Sequence, residues 1–215
     1  MADDPLKIWE TLWARALELI DSVVKSAPPL DDWSFGGGTV LMRRYRLSKD
    51  IDIFISDPQY LGHLTPRLNS DAEKMTSDYT EDARFLKLRF AEGEIDFVAS
   101  APLTQDPTIT EVILGRDVAV ETSAEILAKK LWHRGKEFKA RDIFDFALVV
   151  EKEPQALRPI APILRDRREV ILRRIESSES LLRQEFELLK ILDYRHSFDE
   201  CVGLVTRALG SADRT

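Results

Sequence analysis

Residues 36–56 read GGGTVLMRRYRLSKDIDIFIS, and the way this stretch folds decides the architecture around it. Three glycines open it, and two aspartates, Asp50 and Asp52, stand near its end among Ile51, Ile53, Phe54 and Ile55. Glycine weakens regular structure and marks turns or places where backbone comes close to another group. The period-2 alternation predicts a strand with the isoleucines on one face and Asp50 and Asp52 on the other. Between the two halves, TVLMRRYR has enough residues for about two turns of helix. With the apolar piece WSF before it and Asp57-Pro58 after it, the unit reads as strand, glycine turn, short helix, strand.

The chemistry of the stretch lies in its carboxylates. Residues i and i+2 of a strand share a face, roughly 6.5–7 Å apart along the chain. Two like charges so close repel, and burial raises the cost. A divalent cation removes that cost, and hard oxygen ligands suit Mg²⁺ or Mn²⁺, which also take phosphate oxygens. The alternative is a strand with one solvated face, on which Asp50 and Asp52 simply meet water. The glycines favour the metal. A glycine turn ahead of a helix presents backbone N–H groups and a positive helix end, both suited to phosphate. Gly37 and Gly38 are candidates for that contact, and Thr39 adds a hydroxyl. The turn is not a P-loop, because no Lys-Ser/Thr pair follows the glycines.

Outward from this unit, residues 5–26 predict an amphipathic helix with Ile8, Leu12, Ala16, Leu19 and Val23 on one stripe, ended by Pro28-Pro29. Residues 59–82 read as helix and loop. RFLKLRFAEGEIDFVAS, residues 84–100, predicts a hairpin turning at Glu92-Gly93, and EVILGRDVAVET, residues 111–122, a second one around Gly115-Arg116. The first hairpin carries Asp96 between Ile95 and Phe97. If its strand neighbours that of Asp50 and Asp52, three carboxylates converge and Asp96 serves as third metal ligand or base. By itself it is an outward strand residue.

From Thr122 the chain turns helical. Thr122 and Glu125 have capping-box spacing, AEILAKKLWHR and RDIFDFALVVEKE predict two helices, and Pro154, Pro159 and Pro162 punctuate a connection to a last, densely charged helical stretch. The expected organisation is an α+β core over residues 1–121 and a mainly helical part over residues 122–215. Composition agrees with a core-forming chain: 44% of the 215 residues are hydrophobic and the net charge is −7. That charge argues against non-specific coating of nucleic acid. A single cysteine, Cys201, excludes an internal disulfide framework and thiolate-rich metal sites. His63, His133 and His196 are far apart and form no ligand motif. No apolar run approaches the roughly 18 residues of a membrane span, and the acidic start MADDPLKIWE lacks a signal-peptide pattern, so a cytoplasmic protein is expected.

A Gly-Thr pair, ten residues, then D-x-D is similar to the signature of the polymerase-beta-like nucleotidyltransferases; here it is Gly38-Thr39 and Asp50-Ile51-Asp52. The longer string resembles the AbiEii/AbiGii toxin-type branch, whose pattern is GGT, an apolar helix, then R-x-S-x-D-I-D. Arg46, Ser48, Asp50, Ile51 and Asp52 match it. A second part, an A-x-K-L helix followed by an R-D-x-x-D helix, is matched by Ala128, Lys130, Leu131, Arg141, Asp142 and Asp145. The matched segments span about residues 33–150. Two positions depart from the pattern: Gly36 stands where the family often has lysine, and Lys49 where it often has an acid.

The resemblance implies a metal-dependent nucleotidyltransferase with Asp50, Asp52 and Asp96 as metal ligands and Gly37, Gly38, Thr39 and Ser48 at the phosphates. Lys130 projects from the apolar stripe of its helix and needs an anion or a route to water; the resemblance puts it on the nucleotide, while Lys129 is expected in solvent. Asp145 is expected in the site, with Arg46, Arg141 and Asp142 in support. The implied substrate is an NTP, the candidate acceptor a tRNA end, and the implied partner a cognate antitoxin. A small-molecule (aminoglycoside-like) acceptor and a catalytically silent binding module of the same fold are the competing readings. The basic stretch RDRREVILRRI, residues 165–175, is a solvated helix face or a patch for an RNA backbone.

Overall fold

The computed structural model describes residues 8–26, 30, 32–42, 45, 46, 48 and 50–211. Arg43 and Arg44 of the expected short helix, Lys49 and the Pro28-Pro29 pair lie outside them. The chain forms two compact units. One comprises Met1–Arg43, Ser48–Pro102 and Thr108–Glu121; the other comprises Arg44–Leu47, Leu103–Pro107 and Thr122–Thr215. Two short segments of the first half thus group with the helical second half.

In the first unit the chain runs α1 (Ile8–Ser26), β1 (Trp33–Gly36), α2 (Gly37–Met42), β2 (Asp50–Ile55), α3 (Leu61–Leu64), α4 (Ser70–Met75), β3 (Tyr79–Asp82), β4 (Phe85–Arg89), β5 (Glu94–Ala99), β6 (Thr108–Ile113) and β7 (Arg116–Glu121). The strands make one mixed sheet in the order β3-β4-β5-β2-β1-β7-β6. β2 runs parallel to β5, and β1 parallel to β7; the other neighbours are antiparallel. The alternation predicted for residues 50–55 is realised: Ile51, Ile53 and Ile55 are buried, while Asp50, Asp52 and Phe54 are only half-buried. The isoleucines join Phe35, Leu86, Leu88, Ile95, Phe97, Val118 and Val120 in a core closed by Leu12, Trp13, Ala16, Leu19, Ile20 and Val23 of α1. Those helix positions recur every three or four residues, which puts them on one stripe. The sheet therefore has an apolar face under α1 and an opposite face carrying the acids.

The second unit contains α5 (Ser123–Arg134), α6 (Ala140–Lys152), α7 (Ala161–Ser177), α8 (Glu179–Glu187) and α9 (Phe198–Ser211). The Thr122 hydroxyl caps α5 by accepting from the Glu125 backbone N–H. Glu125 does not return the bond as a capping box would. Its buried carboxylate accepts from the backbone N–H groups of Leu103 and Thr104 and from the Thr104 hydroxyl, which ties that loop to α5. Phe144 packs on Phe186 and Tyr194, and Phe186 on Phe198, with ring centres 5.4–6.0 Å apart. His196 stacks on Tyr194 and pairs with Glu151. Cys201 is buried, and that burial pushes its thiol up to about 12. Part of the basic stretch serves packing: Arg174 donates to the Phe138 carbonyl, and Arg167 lies 4.1 Å over the Trp132 ring. Among the described residues no helix is long and apolar enough to cross a membrane.

Trp13 is fully buried against Trp33 and Phe35, and its indole N–H has no hydrogen-bond partner. Trp13→Ala should lower the unfolding free energy by about 3–5 kcal/mol. Trp13→Phe should cost much less, because it keeps most of the ring and removes an unsatisfied donor. Urea titrations followed by circular dichroism measure both.

Candidate active site

The parallel pairing of β2 with β5 builds the acidic face. Asp50 lies beside Glu94 and Asp52 beside Asp96, in register. Neighbouring strands are about 4.8 Å apart, so Asp52 and Asp96 stand side by side. On the other side of β2, Asp52 is paired with Gly36, and the next residue, Gly37, has a φ of +72°. A Cβ on Gly37 would collide with Asp52 Oδ2. Gly37 is therefore needed twice, for a left-handed backbone and for the space the Asp52 carboxylate fills.

Asp96 has two different oxygens. Oδ2 is 3.0 Å from the Lys87 ammonium, which also bonds Glu94. Oδ1 is buried and has no hydrogen-bond partner. Burial, and then the charge of Asp52, push the Asp96 carboxyl up to about 6, with Lys87 opposing them. A buried, unpartnered carboxylate oxygen beside a second carboxylate is the donor set a hard divalent cation takes, with phosphate and water completing its shell. Asp52 and Asp96 fit such an ion. Among the described residues no three acidic, imidazole or thiol side chains are gathered closely enough to form a cage by themselves. The expected convergence of Asp50, Asp52 and Asp96 is thus an adjacent pair, with Asp50 one pleat further along.

Thr39 and Ser48, expected at the phosphates, bond each other in this structure. Thr39 is buried, its hydroxyl donates to the Asp50 carbonyl, and it lies 2.7 Å from the Ser48 hydroxyl. The pair clips α2 to the lead-in of β2. Sequence reasoning also missed Glu121. β1 pairs in parallel with β7 so that Phe35 faces Val120, which brings Glu121 beside Gly36. Its carboxylate is 3% exposed, accepts from the Ser34 hydroxyl at 3.3 Å, and would collide with a Cβ on Gly36. That contact, with Phe54 on the same spot, accounts for glycine where the resemblance has lysine. Only the parallel register reveals it.

Lys130, Asp142, Asp145 and Arg46 meet inside the second unit. Lys130 Nζ is 2.8 Å from Asp142 Oδ1 and 2.6 Å from Asp145 Oδ2. Arg46 grips both oxygens of Asp145 at 3.1 Å, a bidentate pair. Arg134 reaches Asp142 at 3.2 Å, and the Lys139 backbone N–H donates to its other oxygen. Both aspartates are fully buried. Burial would push Asp142 up, but Lys130, Arg134 and these hydrogen bonds outweigh it and hold the carboxyl down at about 2. Lys129, expected in solvent, is buried and lies 3.6 Å from Glu125, one helical turn away. Arg141 is half-buried on the same helix as both aspartates.

Lys130→Met leaves two buried carboxylates short of a cation and should cost about 3–5 kcal/mol of stability; a lysine that only touched substrate would cost almost none. Asp142 contributes ~2 kcal/mol above its unfolded value near 4, and that is lost as pH falls toward 2. Asp96 acts in the opposite sense. Its raised value makes the ionised form a cost that is absent below about pH 4 and complete above about pH 6. Asp96→Asn should therefore stabilise the cation-free protein by on the order of 2–3 kcal/mol at pH 7.5 and by nothing at pH 4, read from melting curves at the two values.

A match to the family model "Nucleotidyl transferase AbiEii toxin, Type IV TA system" covers residues 22–212. Solved structures resemble this one in fold. MenT4, a nucleotidyltransferase toxin of Mycobacterium tuberculosis H37Rv, superposes with a TM-score of 0.53 at 17% identity, over 95% of this chain and 84% of its own. JHP933 of Helicobacter pylori gives 0.51 at 13% identity, over 94% and 90%. The antibiotic-resistance factor ANT(2'')-Ia gives 0.51 at 13%, over 80% and 97%. No curated protein sequence matches the chain. With the family pattern running through both units, the chain is a nucleotidyltransferase and belongs to the AbiEii toxin family of type IV toxin–antitoxin systems.

Proposed function

We propose that the acidic face of the sheet is the catalytic centre, moving a nucleoside monophosphate from an NTP to an acceptor hydroxyl with release of pyrophosphate. The observation that carries this is the side-by-side placement of Asp52 and Asp96 on parallel strands, with one Asp96 oxygen buried and unpartnered. Mg²⁺ or Mn²⁺ held by Asp52 and Asp96, with Asp50 beside them, would supply Lewis-acid stabilisation of phosphoryl charge. The chain's own residues do the rest. Gly37 and Gly38 present backbone N–H groups toward the phosphates. The Thr39–Ser48 clip holds the Asp50 backbone in place. Asp96, beside Asp52 in register, is placed to hold the ion or to accept the acceptor hydroxyl's proton.

Lys130 enters the proposal as a structural cation, because its ammonium is already engaged by Asp142 and Asp145; the same network holds Arg46 and gives Asp145 a supporting role. The acceptor is proposed to be a tRNA end, the regulator a cognate antitoxin encoded with the toxin, and the place of action the cytoplasm, where NTP, Mg²⁺ and tRNA occur together.

Incubation with each α-labelled NTP, Mg²⁺ and total tRNA should label RNA. Asp50→Ala or Asp52→Ala should reduce labelling on the order of a hundredfold or more. Labelling of an aminoglycoside but not of RNA would move the acceptor to small molecules. Equal labelling by wild type and Asp52→Ala would remove the catalytic assignment, and NTP binding without any transfer would favour the silent module.

A further inference from the structure

Lys87 has no part in the chemistry proposed for the site, yet it touches the acidic face directly. It sits on β4 opposite Asp96 in antiparallel register, so the ladder row runs Lys87, Asp96, Asp52, Gly36. Side chains of one row share one face. A lysine on a strand ordinarily extends into solvent, but this side chain is 26% exposed and its ammonium reaches two carboxylates. Arg89, the other cation of β4 on this face, is drawn toward Asp78, Thr80 and Glu94. Lys87 therefore supplies the positive charge that offsets Asp96 and, through it, the repulsion from Asp52.

We propose that Lys87 is the resident counter-cation of the acidic face and competes with the divalent ion for Asp96. This rests on the reading that Asp52 and Asp96 hold that ion. A divalent ion shared by these aspartates and an ammonium 3.0 Å from Asp96 repel one another across a few ångströms, in a setting less screened than bulk water. The free ion would then bind weakly unless Lys87 moves aside. A metal–nucleotide complex brings phosphate charge that gives the displaced ammonium a new partner. Lys87 in this way ties occupancy of the metal site to arrival of the nucleotide.

The test is Mn²⁺ binding without nucleotide, measured by electron paramagnetic resonance of the free ion on wild type, Lys87→Gln, Lys87→Arg, Asp52→Asn and Asp96→Asn. Lys87→Gln should tighten Mn²⁺ binding about tenfold, Lys87→Arg should stay near wild type, and Asp52→Asn should abolish binding. Unchanged or weaker binding by Lys87→Gln, with Asp52→Asn still abolishing it, would overturn the role of Lys87 alone. Wild-type binding indifferent to both aspartate variants would overturn the metal reading as well. Acylation of Lys87 in the folded wild-type protein, read by mass spectrometry, gives an answer that does not depend on a variant folding. Saturating Mn²⁺ should raise its labelling several-fold, and no change would count against displacement.

Discussion

Two carboxylates fixed beside each other on parallel strands impose a constraint that the neighbouring residues visibly answer. Asp52 and Asp96 cannot separate without breaking the β2–β5 ladder, and one of the Asp96 oxygens has no hydrogen bond. Gly37 gives up its side chain so that the Asp52 carboxylate has somewhere to lie. Thr39 commits its hydroxyl to the Asp50 carbonyl, which keeps the start of β2 from drifting. Lys87 brings a positive charge to the free edge of the pair. The apolar alternation on the reverse face, Ile51, Ile53 and Ile55 under α1, supplies the burial that holds so unfavourable an arrangement together.

The helical unit handles charge by the opposite strategy. Its two buried aspartates are fully paired, with Lys130, Arg46 and Arg134 as partners. Such a network adds little net stability over an apolar core of equal volume, but it is costly to break at one member. It therefore selects a single mutual arrangement of α5, α6 and the segment carrying Arg46 more sharply than it stabilises it. Within one chain, a satisfied ionic core coexists with an acidic face that is left partly unsatisfied.

Much of this was legible in the residues. The alternation of Asp50 to Ile55 declared both the strand and its acidic face, and the glycine turn announced that something must come close to the backbone there. The hairpin carrying Asp96 followed from Glu92-Gly93 and the runs on either side. What periodicity does not carry is lateral register. Nothing local says that Asp96, rather than Glu94, pairs with Asp52, or that β7 returns in parallel to bring Glu121 against Gly36. The partners of a buried ion are equally invisible. Lys130 could be read as inward, but the anion it meets depends on how α6 lies against α5. The partners of the Thr39 hydroxyl are likewise not local: they are Ser48 and the Asp50 carbonyl, nine and eleven positions on.

The segment ahead of Asp50 also has a place in time. Arg46 finds its carboxylate 99 positions later in the chain, and the same segment pairs its backbone with Ile191 and Leu192. During synthesis these partners emerge from the ribosome long after the strand that carries Asp50 and Asp52. A nascent chain halted before them has both aspartates but not these partners of Tyr45 and Arg46. The contacts of Tyr45 and Arg46 therefore cannot be complete until the chain has been made as far as Leu192.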